Sequence, residues 1–314
     1  MRIAVLAGGR SAEREVSIRS GSQVTAALAS RGHEVETIDL DPGCWDRLRD
    51  GGFEAVFIAL HGRQGEDGTV QGMLELLGLP YTGSGVLASA LCIDKTLSNR
   101  LLAAAGLPIP DFEELEAGTV EPGLPDRLLQ TYGLPLVIKP VREGSTIGLT
   151  IARDADEVAD GLVLAGRYDR RIVVQRFVSG TEITVGVLAT PDVQVLPTLE
   201  ITYENASYDY DAKYTAGKSH HIIPARIPEP ARKRAAELAG RAFELLGCDG
   251  MARVDQIVDP AGECWLLEVN TVPGLTEVSL FPDAARAAGI DFPELCERLV
   301  RHAVERHTAR VGPG

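Results

Sequence analysis

The chain has 314 residues, 45% of them apolar and 24% charged, which excludes a disordered polymer and gives enough chain for two or three domains. Its formal net charge of −14 excludes the basic face that nucleic acid or an anionic membrane demands, and no run of about 18 apolar residues offers a membrane span. Of 31 basic residues only five are lysine (Lys95, Lys139, Lys213, Lys218 and Lys233), so the positions kept as lysine are candidates for chemistry.

Residues 2–7 predict a buried strand ended by Gly8-Gly9. Residues 17–30 predict a helix on the spacing of Ile18, Val24 and Leu28, and 35–39 and 55–60 predict two more strands. This is the βαβ pattern of a parallel sheet, whose ligands sit beyond the strand C-termini, where Gly8-Gly9 and His61-Gly62 lie. The first residues lack the apolar stretch and cleavage site of a signal peptide.

Residues 89–105 predict a helix closed by Gly106 and Pro108, and 117–126 a Gly/Pro-rich loop. Strands are predicted over 136–139, 171–177, 182–188 and 195–201, then a polar segment over 203–221 and a helix over 230–246. Residues 251–258 and 264–269 predict a hairpin across Asp259-Pro-Ala-Gly262, and 293–306 a helix followed by a fraying basic tail. The five cysteines (Cys44, Cys92, Cys248, Cys264 and Cys296) are odd in number and hold no C-x-x-C. They read as reduced, buried thiols of a cytoplasmic protein.

Five segments carry chemistry. Lys139-Pro-Val-Arg-Glu-Gly144-Ser145-Thr146-Ile147-Gly148 places a lysine at a strand end before a glycine loop whose N–H groups can converge on phosphate; an ordinary surface turn also fits. In the hairpin, residues whose numbers sum to 521–523 pair. Asp255 then lies near Glu268 with Arg253 close by, and Asn270 shares the face of Glu268. Two carboxylates and an amide oxygen suit Mg²⁺ bridging nucleotide phosphates, while a salt bridge involving Arg253 is the alternative. Thr271-Val-Pro-Gly274 could expose N–H groups to a developing oxyanion, or be a plain turn. Tyr208-Asp-Tyr-Asp-Ala-Lys213-Tyr214 suggests a cover over a site, or a solvated loop. Gly8 to Ser17, with His61 to Gly68 at a neighbouring strand end, could receive an ammonium on a carboxylate; Glu15 and Ser17 could equally cap the helix.

Together these segments resemble the D-alanine–D-alanine ligases of the ATP-grasp superfamily. The likeness runs from Ile3 to about Leu299, with AGGRSAEREVS, HGRQGEDGTVQGMLE, DK at 94–95, KPVREGSTIG, GTEITVGVL, YDYDAKY, RVD and LEVNTVPGLTEVSLFP in family order. It implies an α/β, ATP-grasp fold: an N-terminal parallel-sheet (βαβ) substrate domain over 1–94, a small central ATP-grasp subdomain over 95–180, and a C-terminal one over 181–314 with the metal site and lid. It implies that D-alanine and ATP bind, that two Mg²⁺ (or Mn²⁺) ions assist, and that the protein is a cytoplasmic homodimer serving peptidoglycan precursor synthesis.

Residue by residue, the resemblance assigns Lys95, Lys139 and Lys213 to ATP phosphates, Gly144, Thr146 and Gly148 to the loop over them, and Glu182 to the ribose hydroxyls. Asp255, Glu268 and Asn270 match the metal ligands. Glu13, in a triad with Ser145 and Tyr214, matches the group holding the first D-alanine's ammonium, and His61 also falls in the substrate set. Arg253 and the Gly274 amide match the stabilisers of the tetrahedral transition state, and Ser279 and Leu280 the site of the second carboxylate. Gln175 stands where the family commonly has an acidic residue facing the adenine amino group; its carbonyl can still accept that hydrogen bond. Thr146 replaces a usual serine and keeps the hydroxyl. An ATP-grasp ligase with another acceptor, such as D-lactate, is the alternative, and the intact YDYDAKY argues against it.

Overall fold

The computed structural model describes residues 1–118, 121, 123–203, 219–276 and 278–311. Three sheets organise it. The first joins β1 (Arg2–Ala7), β2 (Glu34–Asp39) and β3 (Ala55–Ile58), all parallel, in the order β2-β1-β3. Helix α1 (Arg14–Ser30) makes the crossover between β1 and β2. Ser17 does not cap it: its Oγ accepts from Gly8 N at 2.9 Å and donates to Ala59 O at 2.7 Å, strapping the helix across the ends of β1 and β3.

Helices α2 (Cys44–Asp50), α3 (Thr69–Leu77), α4 (Val86–Ile93) and α5 (Lys95–Ala104) follow. The helix expected over 89–105 is thus two. Asp94 has extended backbone and caps α5 by accepting from Leu97 N at 3.0 Å, so the chain breaks at the residue before Lys95.

The second sheet runs β4-β7-β5-β6, antiparallel throughout, from β4 (Phe112–Glu116), β5 (Leu136–Pro140), β6 (Thr150–Ala152) and β7 (Arg171–Arg176). Helices α6 (Leu124–Tyr132) and α7 (Ala155–Gly166) belong to this unit, and Leu128, Val158, Leu162 and Ala165 bury with Leu136, Ile138 and Val174.

The third sheet runs β11-β10-β8-β12-β13, with β9 also on β8. It comprises β8 (Thr181–Ala189), β9 (Val193–Val195), β10 (Leu199–Tyr203), β11 (Ser219–Ile222), β12 (Gly250–Val258) and β13 (Cys264–Asn270). The single strand expected over 195–201 is split, because β9 turns back on β8 before β10 pairs with it again. Helix α8 (Glu229–Leu245) covers one face through Ala235, Leu238 and Ala242. Helices α9 (Leu280–Ala287) and α10 (Phe292–Val311) return to the first sheet, where Phe281, Leu295 and Leu299 join Ile3, Val5 and Phe57 in one core. Helix α10 continues through Val311, five residues past the expected end. All five cysteines are free and buried, as their composition suggested. Among the described residues no helix is long and apolar enough to cross a membrane.

Candidate active site

Alternation along the third sheet sets its chemistry. On β12, Ala252, Val254 and Val258 enter the core under α8, so Arg253, Asp255 and Ile257 face the other way. On β8, Ile183, Val185 and Val187 are core, and Glu182, Thr184 and Gly186 share the open face, opposite Ile257, Asp255 and Arg253. On β13, simple alternation would put Glu268 on the core side with Cys264 and Leu266. A bulge prevents this: Gln256 pairs with Leu266, but Asp255 pairs with Glu268. Leu267 is the extra residue, so Leu267 and Glu268 open onto the same cavity while Val269 returns to the core.

Arg253 grips Asp255 through two hydrogen bonds, Nε to Oδ1 at 2.8 Å and a second guanidinium nitrogen to Oδ2 at 2.7 Å, and Thr184 Oγ1 donates to Asp255 Oδ1 at 2.7 Å. The salt bridge of Arg253 that was weighed as the alternative therefore exists, along one strand rather than across two. Lys95, at the first turn of α5, is buried. Its Nζ donates to the Glu143 carbonyl at 2.7 Å and lies 3.5 Å from Glu268 Oε2. The turn is anchored by Arg171, which bonds Asp94, Thr96 and Glu114 together; its guanidinium holds the Glu114 carboxyl down at about 2.

The glycine-rich loop after β5 reaches the N-terminal domain. Ser145 Oγ donates to Glu13 Oε1, joining residues 132 apart in sequence. A Cβ on Gly144 would stand 3.1 Å from Glu13 Oε2, so glycine is what lets the loop close on that carboxylate. Ser145 and Thr146 take φ of 52° and 61°, a left-handed backbone that a β-branched residue rarely adopts and that recurs at ligand clamps. Gly148 faces Pro140 and Tyr168 instead of a cavity.

His61 and Glu66 lie behind Glu13. His61 Nδ1 is 3.1 Å from the Val272 carbonyl and 3.4 Å from Glu66 Oε1; a carbonyl only accepts, so Nδ1 carries the proton. Burial opposes charge on His61, but Glu66 and Glu13 outweigh it and raise its pKa; burial raises that of Glu66. Ser279, the N-cap residue of α9, accepts at Oγ from Thr276 N at 2.9 Å, and a Cβ on Gly274 would stand 2.8 Å from that oxygen.

Two adjoining cavities result. One is lined by Glu13, His61, Arg253, Asn270, Gly274, Ser279 and Leu280, the other by Lys95, Lys139, Thr146 and Gln175 with apolar walls from Val137, Ile151, Ile257 and Leu267. Gly144, Ser145, Glu182, Asp255 and Glu268 line both. Tyr214 and Lys213, with most of the expected lid, lie outside the described residues. Glu66 and His221 also line the first cavity; sequence reasoning named Glu66 only as part of the segment offering a carboxylate to an ammonium and gave His221 no role. Glu66 stands inside the quoted HGRQGEDG segment, whereas His221 Nδ1, 2.6 Å from Asp283 Oδ2, carried no local signal. Among the described residues no three His, Cys, Asp or Glu side chains form a metal cluster. The candidate donor set is two carboxylates and the Asn270 amide oxygen, hard ligands that fit a magnesium-like ion better than zinc.

Family models for the D-Ala D-Ala ligase N-terminus and C-terminus match residues 2–51 with 48–84, and 101–301. This chain belongs to the D-alanine–D-alanine ligase family. The ligase is 51% identical to the D-alanine–D-alanine ligase of Desulforudis audaxviator over 97% of this chain and 99% of that protein. It is 50% identical to that of Moorella thermoacetica, over 97% and 100%. A structure of the Bacillus anthracis D-alanine–D-alanine ligase complexed with ATP superposes with a TM-score of 0.84 at 32% identity, covering 99% of each chain. The ligase thus has the ATP-grasp fold expected of it, and these relatives do not favour a D-lactate acceptor.

Proposed function

We infer that the ligase joins two D-alanines into D-alanyl-D-alanine, converting ATP to ADP and phosphate through an acyl phosphate. The observation that carries this reading is the meeting of the two cavities at Asp255 and Glu268: an apolar-walled cavity that holds Lys95 and Lys139 adjoins one that holds Glu13, Arg253 and Ser279.

Glu13 receives the ammonium of the first D-alanine, with Ser145 holding the carboxylate in place. This leaves the substrate carboxylate to attack the γ-phosphorus, since its own charge is aimed toward the cations. Lys95 and Lys139 face the phosphates, and compact ammoniums spread the charge that builds on the transferring group. Lys213, Gly144 and Thr146 complete the phosphate cover, Gly148 shapes its loop, and Glu182 takes the ribose hydroxyls. Asp255, Glu268 and Asn270 would hold two Mg²⁺ (or Mn²⁺) ions, which when bound neutralise the phosphate oxygens. The second D-alanine places its carboxylate at Ser279 and Leu280, at the N-terminus of α9, whose N-cap Ser279 makes no side-chain capping bond among the described residues. Its neutral amine attacks the acyl carbon, phosphate leaves, and Arg253 with the Gly274 amide stabilises the oxyanion. The family resemblance assigns Tyr214 to the Glu13–Ser145 pair and a lid role to the 203–221 segment; such a cover would keep water from hydrolysing the acyl phosphate.

This reading divides the chain at 94/95 and 180/181 and places the ligase in the cytoplasm, as a homodimer, supported by its free cysteines for the compartment. Incubation with ATP, Mg²⁺ and D-alanine tests the activity, with ADP, phosphate and dipeptide appearing in equal amounts. ATP consumption that ignores D-alanine, or no dipeptide, would overturn it.

A further inference from the structure

His221 stands on β11, paired with the apolar Ile201 of β10, and lines the cavity that holds Arg253, Gly274 and Ser279. Its Nδ1 lies 2.6 Å from Asp283 Oδ2; a carboxylate only accepts, so Nδ1 carries the proton and Nε2 keeps its lone pair. Asp283 sits in the first turn of α9, its N–H bonded to the Ser279 carbonyl. A carboxylate-held imidazole therefore stands beside the proposed seat of the second carboxylate.

An amino acid enters as its ammonium, which has no lone pair to attack with, so one proton must leave its nitrogen first. The other proton acceptors around the cavity are engaged. Glu13 takes a hydrogen bond from Ser145, His61 uses Nδ1 on the Val272 carbonyl and Nε2 on Ser20 Oγ at 3.1 Å, and Glu66 lies against His61. Asp255 is bonded by Arg253 and Thr184.

We propose that His221 is the general base for the second D-alanine: Nε2 takes a proton from the ammonium, and Asp283 holds the imidazolium that forms. This rests on the reading of the cavity as the amino-acid site. The freed lone pair forms the C–N bond to the acyl carbon, the C–O bond to phosphate breaks, and the second N–H proton goes to the departing phosphate. The imidazolium returns its proton to water at product release. Burial and the Arg286 guanidinium, itself bonded to Asp283, lower the His221 pKa, so the imidazole is neutral at pH 7 and able to accept. The other charged groups facing the cavity from β8 and β12 are Glu182, Arg253 and Asp255.

The test compares the intact ligase with His221→Gln, whose amide can still donate to Asp283 but is no base. Each receives ATP, Mg²⁺ and D-alanine, with or without hydroxylamine, an amine already neutral at pH 7 that converts the acyl phosphate to a hydroxamate. In the variant the dipeptide kcat at pH 7 falls about 100-fold, the usual worth of a general base, while hydroxamate formation and melting temperature stay close to those of the ligase. Raising the pH to about 9 restores part of the variant's dipeptide rate, because more D-alanine is neutral in solution, and adds little to the ligase's. Near-normal dipeptide turnover in His221→Gln at pH 7 overturns the proposal. So does a loss confined to the KM for D-alanine, which makes His221 a binding group, and so does a parallel loss of hydroxamate, which makes it a support of the whole site. If the intact ligase forms neither hydroxamate nor dipeptide, the acyl-phosphate reading fails and the proposal falls with it, a result distinct from a misassigned base.

Discussion

Lys95 Nζ stands 3.5 Å from Glu268 Oε2 while donating to the Glu143 carbonyl at 2.7 Å, so one ammonium ties α5, β13 and the glycine-rich loop together. Removing it takes a cation from beside a partly buried carboxylate and from the cavity proposed to hold the phosphates. Lys95→Met is expected to lower kcat/KM for ATP by about 100-fold, in the range for losing one transition-state donor. ADP release at varied ATP, beside the melting temperature, separates this from a purely structural loss, which would lower stability and leave KM unmoved.

Lys139→Arg tests charge shape at constant charge. Lys139 is buried at the end of β5, and the wider planar guanidinium cannot occupy the volume of a compact ammonium. Most activity should be lost, with the fold kept by circular dichroism; near-normal turnover would refute the phosphate role.

Gly274→Ala probes the acceptor end. Its new Cβ would stand 2.8 Å from Ser279 Oγ, so the side chain of Ser279, the N-cap residue of α9, must shift. We expect the KM for the second D-alanine to rise about 10- to 100-fold, with that for ATP nearly unchanged, since small misplacements at reacting groups carry such costs. Steady-state kinetics over both substrates measures the split.

Acid stability should reflect Asp249. Burial alone would raise its pKa, but hydrogen bonds from His302 and Arg306 outweigh it and bring the group from the usual 3.8 to about 2. A carboxyl depressed in the fold stabilises it above the unfolded pKa and loses that contribution as pH falls through the folded one. Asp249→Asn should thus melt lower than the ligase at pH 7, and the gap should close between about pH 4 and pH 2. A gap constant across that window in thermal melts would sink the assignment.

Much of this was legible in the sequence where a local rule sufficed. The hairpin arithmetic placed Asp255 against Glu268, and the observed pairs sum to 522 or 523, as expected. Helix α5 was hidden because apolar spacing continues across Asp94, and only its capping bond to Leu97 N marks the break. Ile257 and Leu267 were missed as cavity walls, since an apolar strand residue reads as core until the sheet's covered face is known.

By itself the sequence determined the motif order, the strand alternation and the set of groups able to carry the chemistry, because these depend on neighbours a few residues apart. Only the tertiary structure decided that a bulge at Leu267 turns Glu268 out of the core; the contact of Ser145 with Glu13 across 132 residues was implied by the family resemblance and by no local pattern. Such contacts depend on how the sheets pack, and no local periodicity encodes the meeting of two distant segments.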